Sequence, residues 1–215
     1  TYTDENGNHH YDPGEPFDDV DGDGVFEPVW IAGFDPRRAA IGVHDPLSIR
    51  TMVVVRDGEY VIFAGMDLVG LLHPRIDQAR DVLAAEDGMD PIRLIAASTH
   101  NHQGPDVFGI WGNTDLDSGS FSPGFDPAYQ DLVVQALIDS VRLAAADVRE
   151  AEITMGMEDL ATANPWFSGR HFDGENTNPW VRGLIRDIRD PVVASTRVFV
   201  MHAGDSSTGE GLGTR

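Results

Sequence analysis

The chain has 215 residues, and 41% of them are hydrophobic, which suffices for one domain with its own core or for part of a larger one. The formal net charge is −21, all 15 basic residues are Arg, and Lys and Cys are absent. This composition excludes Schiff-base lysine chemistry, disulfides and thiolate nucleophiles or ligands within the chain. The negative charge also argues against nucleic acid and anionic membranes as partners.

The first predicted element is an acidic segment over residues 4–27, with oxygen-bearing side chains at alternate positions. Positions 1, 3, 5, 9 and 12 of an EF-hand-type calcium loop are filled by Asp4, Asn6, Asn8, Asp12 and Glu15. His9 stands where such loops have their turn Gly. Because alternating oxygens can wrap around a hard cation, this pattern predicts a calcium site.

A second loop begins at Asp19. It places Asp19, Asp21, Asp23 and Glu27 at positions 1, 3, 5 and 9. Trp30 stands at position 12 and cannot bind calcium, so the loop needs another oxygen, from Glu15, Asp18 or a backbone carbonyl. No amphipathic helix flanks either loop, and the segment is similar to the Asp/Asn-Gly-rich calcium repeats of extracellular bacterial proteins. The alternative is a solvated acidic tail that binds nothing.

The remaining elements alternate between strands and helices. Their predicted bounds are strands Met52–Val55 and Tyr60–Ala64, helix His73–Ala85, strand Ile92–Ala97, loop Asn113–Pro127, helix Pro127–Asp147, and strands Ala151–Met157 and Thr196–Met201. In the second helix the apolar face is predicted to hold Leu132, Val133, Ala136, Leu137, Val141 and Ala144. This order predicts an α/β layered core.

The stretch Ser98-Thr99-His100-Asn101-His102-Gln103-Gly104-Pro105-Asp106 carries the chemistry. It follows the apolar strand, and α/β enzymes place functional groups at strand ends. In an extended chain, His100 and His102 would point to the same face, so that one could bind a metal beside the other. The alternative is two loop histidines with ordinary hydrogen bonds.

This stretch resembles the Ser/Ala-Thr-His-Thr-His-Ser-Gly-Pro signature of the neutral ceramidases, which are zinc-dependent amidases. Asn101, Gln103 and Asp106 depart from that signature. Weaker likeness runs from Ile31 to Met201, through Gly42–Val55, Val61–Leu68, Ala163–Phe172 and Asp190–Pro191. The resemblance implies the N-terminal part of a ceramidase-like catalytic domain with an α/β layered core, preceded by irregular calcium-binding loops.

The resemblance also implies roles for single residues. His100 would bind zinc, His102 would lie in the second shell or act as a general acid on the leaving amine, and Arg170 would lie near the substrate. The implied reaction is zinc-dependent hydrolysis of an N-acyl amide bond, with an N-acyl amide or sphingolipid-like substrate. Asp106 predicts a preference for a cationic or neutral head group, because its carboxylate would lie beside the scissile bond.

The domain prediction has three parts: a calcium-loop segment over 1–30, the amidase portion over 31–202, and a Gly/Ser/Thr-rich linker or processing-site tail over 203–215. His100 alone cannot complete a tetrahedral zinc site, so the remaining ligands are expected from the rest of the protein or from a second polypeptide. One alternative is a self-processed amidase whose second chain begins with the nucleophile. Another is a calcium-stabilised extracellular binding or assembly module with a degenerate catalytic fold. Loops of this kind suit the millimolar calcium concentration found outside cells. The loops therefore predict a secreted or periplasmic protein.

Overall fold

The computed structural model describes residues 1–112, 114–115, 120–121, 123–159, 197–205 and 208. It divides into two compact units, Thr1–Val148 and Arg149–Arg215. The first unit contains β1 (Ile49–Arg56), β2 (Glu59–Met66), α1 (His73–Asp87), a 3₁₀ turn (Pro91–Arg93), β3 (Leu94–Ser98), β4 (Thr114–Asp115), β5 (Ser120–Phe121) and α2 (Pro127–Ala146). The second contains β6 (Ala151–Asp159) and β7 (Arg197–Asp205). In the described part of the chain, no helix is long and apolar enough to cross a membrane.

The central sheet has the order β1-β2-β3. Strands β1 and β2 form an antiparallel hairpin, and β3 joins β2 in parallel. Asp57 and Gly58 both have positive φ, of 53° and 82°, which is the geometry of a tight hairpin turn. Both predicted strands are therefore confirmed, although each strand extends further than the sequence predicts.

Two helices supply the apolar cover of this sheet. Helix α1 has Pro74 in its first turn and ends at Gly88, whose φ of 67° suits a left-handed cap. Helix α2 begins after Asp126, which accepts a hydrogen bond from the Ala128 N–H at 2.8 Å. The buried core joins strands and helices through Ile62, Ala64, Met66, Leu68, Ala79, Leu83, Leu94, Val133, Val134, Leu137, Ile138 and Val141. The predicted mixture of strands and helices is thus observed.

Two predicted details are wrong. The strand predicted from Ile92 begins at Leu94, because Asp90 accepts the Ile92 N–H at 3.1 Å and a 3₁₀ turn precedes the strand. In α2, Leu132 and Ala136 of the predicted apolar face are exposed, whereas Val134 and Ile138 are buried. Helix α2 packs on both α1 and the sheet, and these two neighbours determine which of its residues are buried. The buried face therefore differs from the apolar face predicted from the sequence.

The acidic N-terminal segment packs around its own aromatic cluster. Ring centroids of neighbouring members lie 4.4–6.3 Å apart, and the members are Tyr2, Tyr11, Phe17, Phe26 and Trp30. The segment then joins the rest of the unit through the Arg37 guanidinium, which donates to Asp12 Oδ1 at 2.9 Å. Most of this burial is apolar, so the segment is ordered by packing as well as by its polar turns.

The predicted loop at 113–127 contains the short pair β4 and β5. In the second unit, β6 and β7 pair in antiparallel fashion, and Ala151 pairs with Asp205 and Asp159 with Arg197. Strand β7 continues past the predicted end at Met201, and the first residues of the predicted tail, through Asp205, are paired with β6. The three predicted domain bounds remain predictions.

Candidate metal and catalytic site

The candidate site forms where two neighbouring parallel strands end. Met66 of β2 pairs with Ser98 of β3, so the residues that follow both strands emerge at the same sheet edge. Two backbone hydrogen bonds hold these segments together beyond the sheet, from Thr99 N–H to Met66 O and from Asn101 N–H to Leu68 O. The carboxyl end of the parallel β2–β3 pair thus carries the histidine motif, in keeping with the predicted position of the motif at a strand end.

His100 occupies a left-handed backbone conformation with φ 62°. The chain is therefore not extended here, and the expectation that extended geometry aligns the two histidines is wrong. Its Nδ1 lies 2.8 Å from the Val69 carbonyl oxygen, and a carbonyl can only accept, so Nδ1 carries the proton. In a neutral ring this leaves the Nε2 lone pair available to a metal, the usual arrangement for a ligating histidine.

The two rings nevertheless meet, since Nε2 of His102 lies 3.1 Å from Nε2 of His100. With Nδ1 of His100 protonated, a neutral pair must have the His102 Nε2–H as donor. Phe34 packs edge-on against the His102 ring at 4.8 Å between centroids. A Cβ at Gly33 would lie 2.2 Å from the ring Cγ, so only glycine lets the His102 ring rest on this backbone.

Asp67 follows β2 and lies beside the motif. Its carboxylate accepts a hydrogen bond from the Ser48 hydroxyl at 2.7 Å and a longer one from the Thr99 hydroxyl at 3.4 Å, and it lies 3.6 Å from Arg50 Nη1. The Ser48 hydrogen bond and the Arg50 charge hold the pKa of Asp67 below its usual value, outweighing the opposing effect of burial. Asp67 therefore places a negative charge beside Thr99, the residue that precedes His100.

Asp106 does not face a substrate. Its side chain is only 1% exposed, and its Oδ1 accepts the N–H groups of Phe108 and Gly109 at 2.8 and 2.9 Å. Its Oδ2 accepts the Trp111 N–H at 2.9 Å. The carboxylate therefore organises the turn after the motif, and the predicted effect of Asp106 on head-group preference is wrong because the charge points inward.

The comparisons with known proteins concern the fold. A scan against protein-family models and a search of curated proteins gave no match. Among solved structures, neutral ceramidase from Pseudomonas aeruginosa matches with a TM-score of 0.59 and 17% sequence identity over 86% of this chain. A structure described as ceramidase complexed with C2 matches with a TM-score of 0.56 and 15% identity over the same share.

The chain shares its fold with part of the neutral ceramidases. It spans 28% of the length of each of these ceramidase chains. The structural part of the predicted resemblance is therefore confirmed. At this level of identity the likeness concerns the fold alone, and activity, metal and substrate have to be argued from the residues.

Of the predicted zinc-binding and catalytic residues, the structure describes His100 and His102 and brings them into contact. Arg170 lies outside the described residues. Sequence reasoning missed three contributors to the histidine pair: the Val69 carbonyl, Gly33 and Phe34. Neither periodicity nor motif marks them, because a backbone carbonyl has no sequence signature and Gly33-Phe34 lies in a loop distant along the chain.

The first predicted calcium loop folds around its acidic residues. Asp4 accepts backbone N–H groups from Gly7, Asn8 and His9 at 2.7–3.2 Å. The backbone bond from His9 is the main cause of the lowered pKa of Asp4. His9 has φ 63°, the left-handed conformation that Gly usually supplies at this position. His9 therefore departs from the usual sequence of the loop but not from its backbone geometry.

Asp12 and Glu15, the two residues predicted to close this loop around calcium, are hydrogen-bonded within it. Asn6 and Asn8 both donate their side-chain amides to Asp12 Oδ2 at 2.8 Å. Glu15 is 7% exposed and accepts the N–H groups of Glu5 and Asp12. Each predicted ligand of the first loop is thus held by hydrogen bonds within the segment.

In the second predicted loop, carboxylate oxygens of Asp19, Asp21 and Asp23 lie within 4.8 Å of one another, and all three residues are exposed. Among the described residues this is the one group of three or more acidic or histidine side chains with such spacing, and Glu27 is not part of it. Of the oxygens expected to complete the loop, Glu15 is already bonded within the first loop. Asp18 and a backbone carbonyl remain as expected sources.

The strained backbone at His100 gives a stability prediction. His100→Gly is expected to be about 1 kcal/mol more stable than His100→Ala, since Ala keeps the left-handed penalty and Gly does not. Both variants lose the ring and its bond to Val69, so their difference isolates the backbone term. Denaturant unfolding of the two variants measures it. Equal stability would mean that the backbone at this position relaxes once the imidazole is removed.

Proposed function

We propose that this chain forms part of a zinc-dependent hydrolase that cleaves an N-acyl amide bond. The observation that carries the proposal is the histidine pair at the carboxyl ends of β2 and β3, with the two Nε2 atoms 3.1 Å apart. The ceramidase fold of the surrounding unit supports the reaction class, because in such a fold the pair stands where α/β enzymes carry their chemistry.

His100 is suited to be one of the four ligands of a tetrahedral zinc site. Its Nδ1–H is held by the Val69 carbonyl, which fixes the ring plane and leaves Nε2 as the ligand atom. The ring is exposed, so a metal can reach it. Among the described residues no group of three acidic or histidine side chains includes His100, so the proposal takes the remaining ligands from elsewhere in the protein or from a second polypeptide.

Bound zinc would polarise the acyl carbonyl and lower the pKa of a coordinated water towards about 7. The chain's own residues would do the rest. The Nε2–H of His102 donates to the His100 Nε2 lone pair in this structure and becomes available to a substrate atom when that lone pair is used as a ligand. His102 would act as a general acid in its doubly protonated form: it would take up the proton that the attacking water loses and give one to the leaving amine, so that the ring ends neutral.

The substrate is proposed to be an N-acyl amide of the sphingolipid kind, in keeping with the ceramidase neighbours. Phe34 is 72% exposed and packs against the His102 ring, which places an apolar surface directly beside the proposed general acid. Such a surface suits an acyl chain better than a charged head group. Because Asp106 faces inward, no charge preference is proposed from it.

The function is tested with the complete protein that carries this chain. Purified protein is assayed on ceramide, other N-acyl amines and small peptide-like amides, before and after zinc is removed with a chelator and restored. Turnover of at least one N-acyl amide, lost on chelation and recovered with zinc, is expected. Hydrolysis unaffected by zinc removal would favour the alternative of an N-terminal nucleophile, and absence of any turnover would favour a binding or assembly module.

We further propose that the N-terminal loops bind calcium and that the protein works outside the cytoplasm, where calcium is abundant. Three features support binding: the clustered carboxylates of the second loop, the left-handed turn at His9, and the hydrogen bonds that preorganise the first loop. Because the loops surround an aromatic cluster, bound calcium would stabilise the segment and take no part in the chemistry.

Calcium removal is expected to lower stability. A ligand that binds only the folded state stabilises it by about 2.7 kcal/mol at a hundredfold excess over its Kd, which corresponds to a melting-temperature shift of about 5–10 °C for a chain of this size. Melting curves with calcium and with excess chelator measure the shift. Asp19→Ala should reduce it, whereas Asp45→Ala, at an exposed carboxylate outside the loops, should not. Identical curves, with no calcium found after purification, would leave only the solvated-tail interpretation.

A further inference from the structure

We propose that Arg38 is a positioning residue that holds His102 in place, an inference whose catalytic consequence rests on the proposed function. Its Nη2 lies 2.8 Å from the carbonyl oxygen of Ala32, 3.0 Å from that of Gly33 and 2.9 Å from that of His102. One nitrogen thus joins two segments that are far apart in sequence. Three carbonyl oxygens converge on this nitrogen, and a charged donor bonds them more strongly than a neutral one would.

The His102 ring depends on this junction. It rests on the Gly33 backbone and against the Phe34 ring, and both belong to the turn whose carbonyls Arg38 binds. The Arg38 guanidinium also lies over the Phe34 ring, 5.6 Å from its centroid. The distance between this turn and the His102 backbone affects whether the ring reaches Nε2 of His100. Arg38 is the side chain that joins the two at this point.

The fold of the region does not depend on Arg38 alone. The same two segments are joined by backbone bonds from Ala32 N–H to the Gly104 carbonyl and from Asp106 N–H to the Trp30 carbonyl. Ile31 and Pro105 also form a β-bridge. Loss of Arg38 should therefore leave the segments associated but let the His102 ring move, an effect on geometry more than on folding.

The test compares the complete protein in wild-type, Arg38→Met and Arg38→Lys forms, with crystal structures of the zinc-free protein and kinetics of the zinc-loaded protein. In Arg38→Met the two Nε2 atoms are expected to separate beyond hydrogen-bond distance, about 3.5 Å. The kcat for the N-acyl amide should fall about tenfold or more, with KM and zinc content unchanged, because a misplaced acid loses orientation but the ligand stays. Arg38→Lys should restore both readouts in part, since its ammonium offers three donors from one nitrogen.

Arg93→Met is the matched control. Arg93 also donates to a backbone carbonyl, that of Tyr60, and also lies over an aromatic ring, 5.2 Å from its centroid. It lies at the opposite end of β2, so the histidine pair and kcat should both be unchanged. If Arg38→Met does not fold, Arg38→Gln is used in its place, because the Gln side-chain amide can donate to one or two of the three carbonyls.

The outcomes separate this inference from the proposed function. An intact histidine pair in Arg38→Met, with kcat within about twofold of wild type, would overturn the role of Arg38. A wild-type protein without amide hydrolysis, in which Arg38→Met still separates the histidines, would refute the function and support the positioning role. If Arg38→Met lost zinc as well as displacing the His102 ring, Arg38 would also support the zinc ligand, which would contradict a role confined to positioning His102.

Discussion

His102→Ala is expected to lower kcat for N-acyl amide hydrolysis by about a hundredfold to ten-thousandfold while the zinc content stays at the wild-type level. The reason is geometric: the His102 Nε2–H points at the Nε2 atom that the zinc would use, 3.1 Å away, so it lies within reach of the reacting atoms without being the ligand. Steady-state kinetics combined with metal analysis of the complete protein measure both quantities.

His73→Ala is the control for this experiment. Like His100, His73 uses its Nδ1 in a 2.8 Å hydrogen bond, here with Asp77, but it stands at the start of α1. Its loss should leave kcat unchanged. If His102→Ala lost zinc as well as activity, His102 would be a ligand, and a kcat within about threefold of wild type would remove it from the chemistry.

The second large effect concerns stability. Asp106→Ala is expected to destabilise the first unit by about 3–5 kcal/mol. The substitution removes a buried carboxylate and leaves the N–H groups of Phe108, Gly109 and Trp111 without a hydrogen-bond acceptor. Chemical denaturation of both proteins gives the difference in the free energy of unfolding. A loss below about 1 kcal/mol would mean that water replaces the carboxylate.

Asp106→Asn distinguishes the hydrogen bonds from the charge. The amide oxygen can still accept the bonds that Phe108 and Gly109 give to Oδ1, but the amide nitrogen cannot accept the Trp111 N–H. Asn is therefore expected to cost less than Ala. In neither variant should the substrate preference change while the protein remains folded.

Much of the fold follows from local sequence. The Asp57-Gly58 pair between two apolar runs predicts a hairpin, because the tight turn needs positive φ at both of its central positions and Asp-Gly accepts that conformation readily. Helix α1 is bounded by Pro74 and Gly88, and each restricts the backbone in a way that one sequence can reveal. The histidine motif could be placed at a strand end because an apolar run of strand length precedes it.

The parts that sequence reasoning missed depend on partners distant along the chain. A charged residue next to a motif can face solvent or satisfy buried N–H groups, and only the folded turn after Asp106 supplies those donors. The support of the histidine pair comes from Val69 and from the segment Gly33 to Arg38, which the fold brings to the motif. The exposure of Leu132 likewise follows from how α2 packs, which no periodicity within the helix determines.

The most direct test of the central claim is zinc binding at equilibrium by the complete protein. Wild-type, His100→Ala and His73→Ala proteins are dialysed against buffered free zinc, and the bound metal is counted by elemental analysis. The proposal predicts one zinc per catalytic site in wild type and His73→Ala, and at least about a hundredfold weaker binding in His100→Ala, because a first ligand should matter at least as much as the groups that orient it. Full zinc occupancy in His100→Ala at the same free zinc concentration would contradict the assignment of His100 as a zinc ligand.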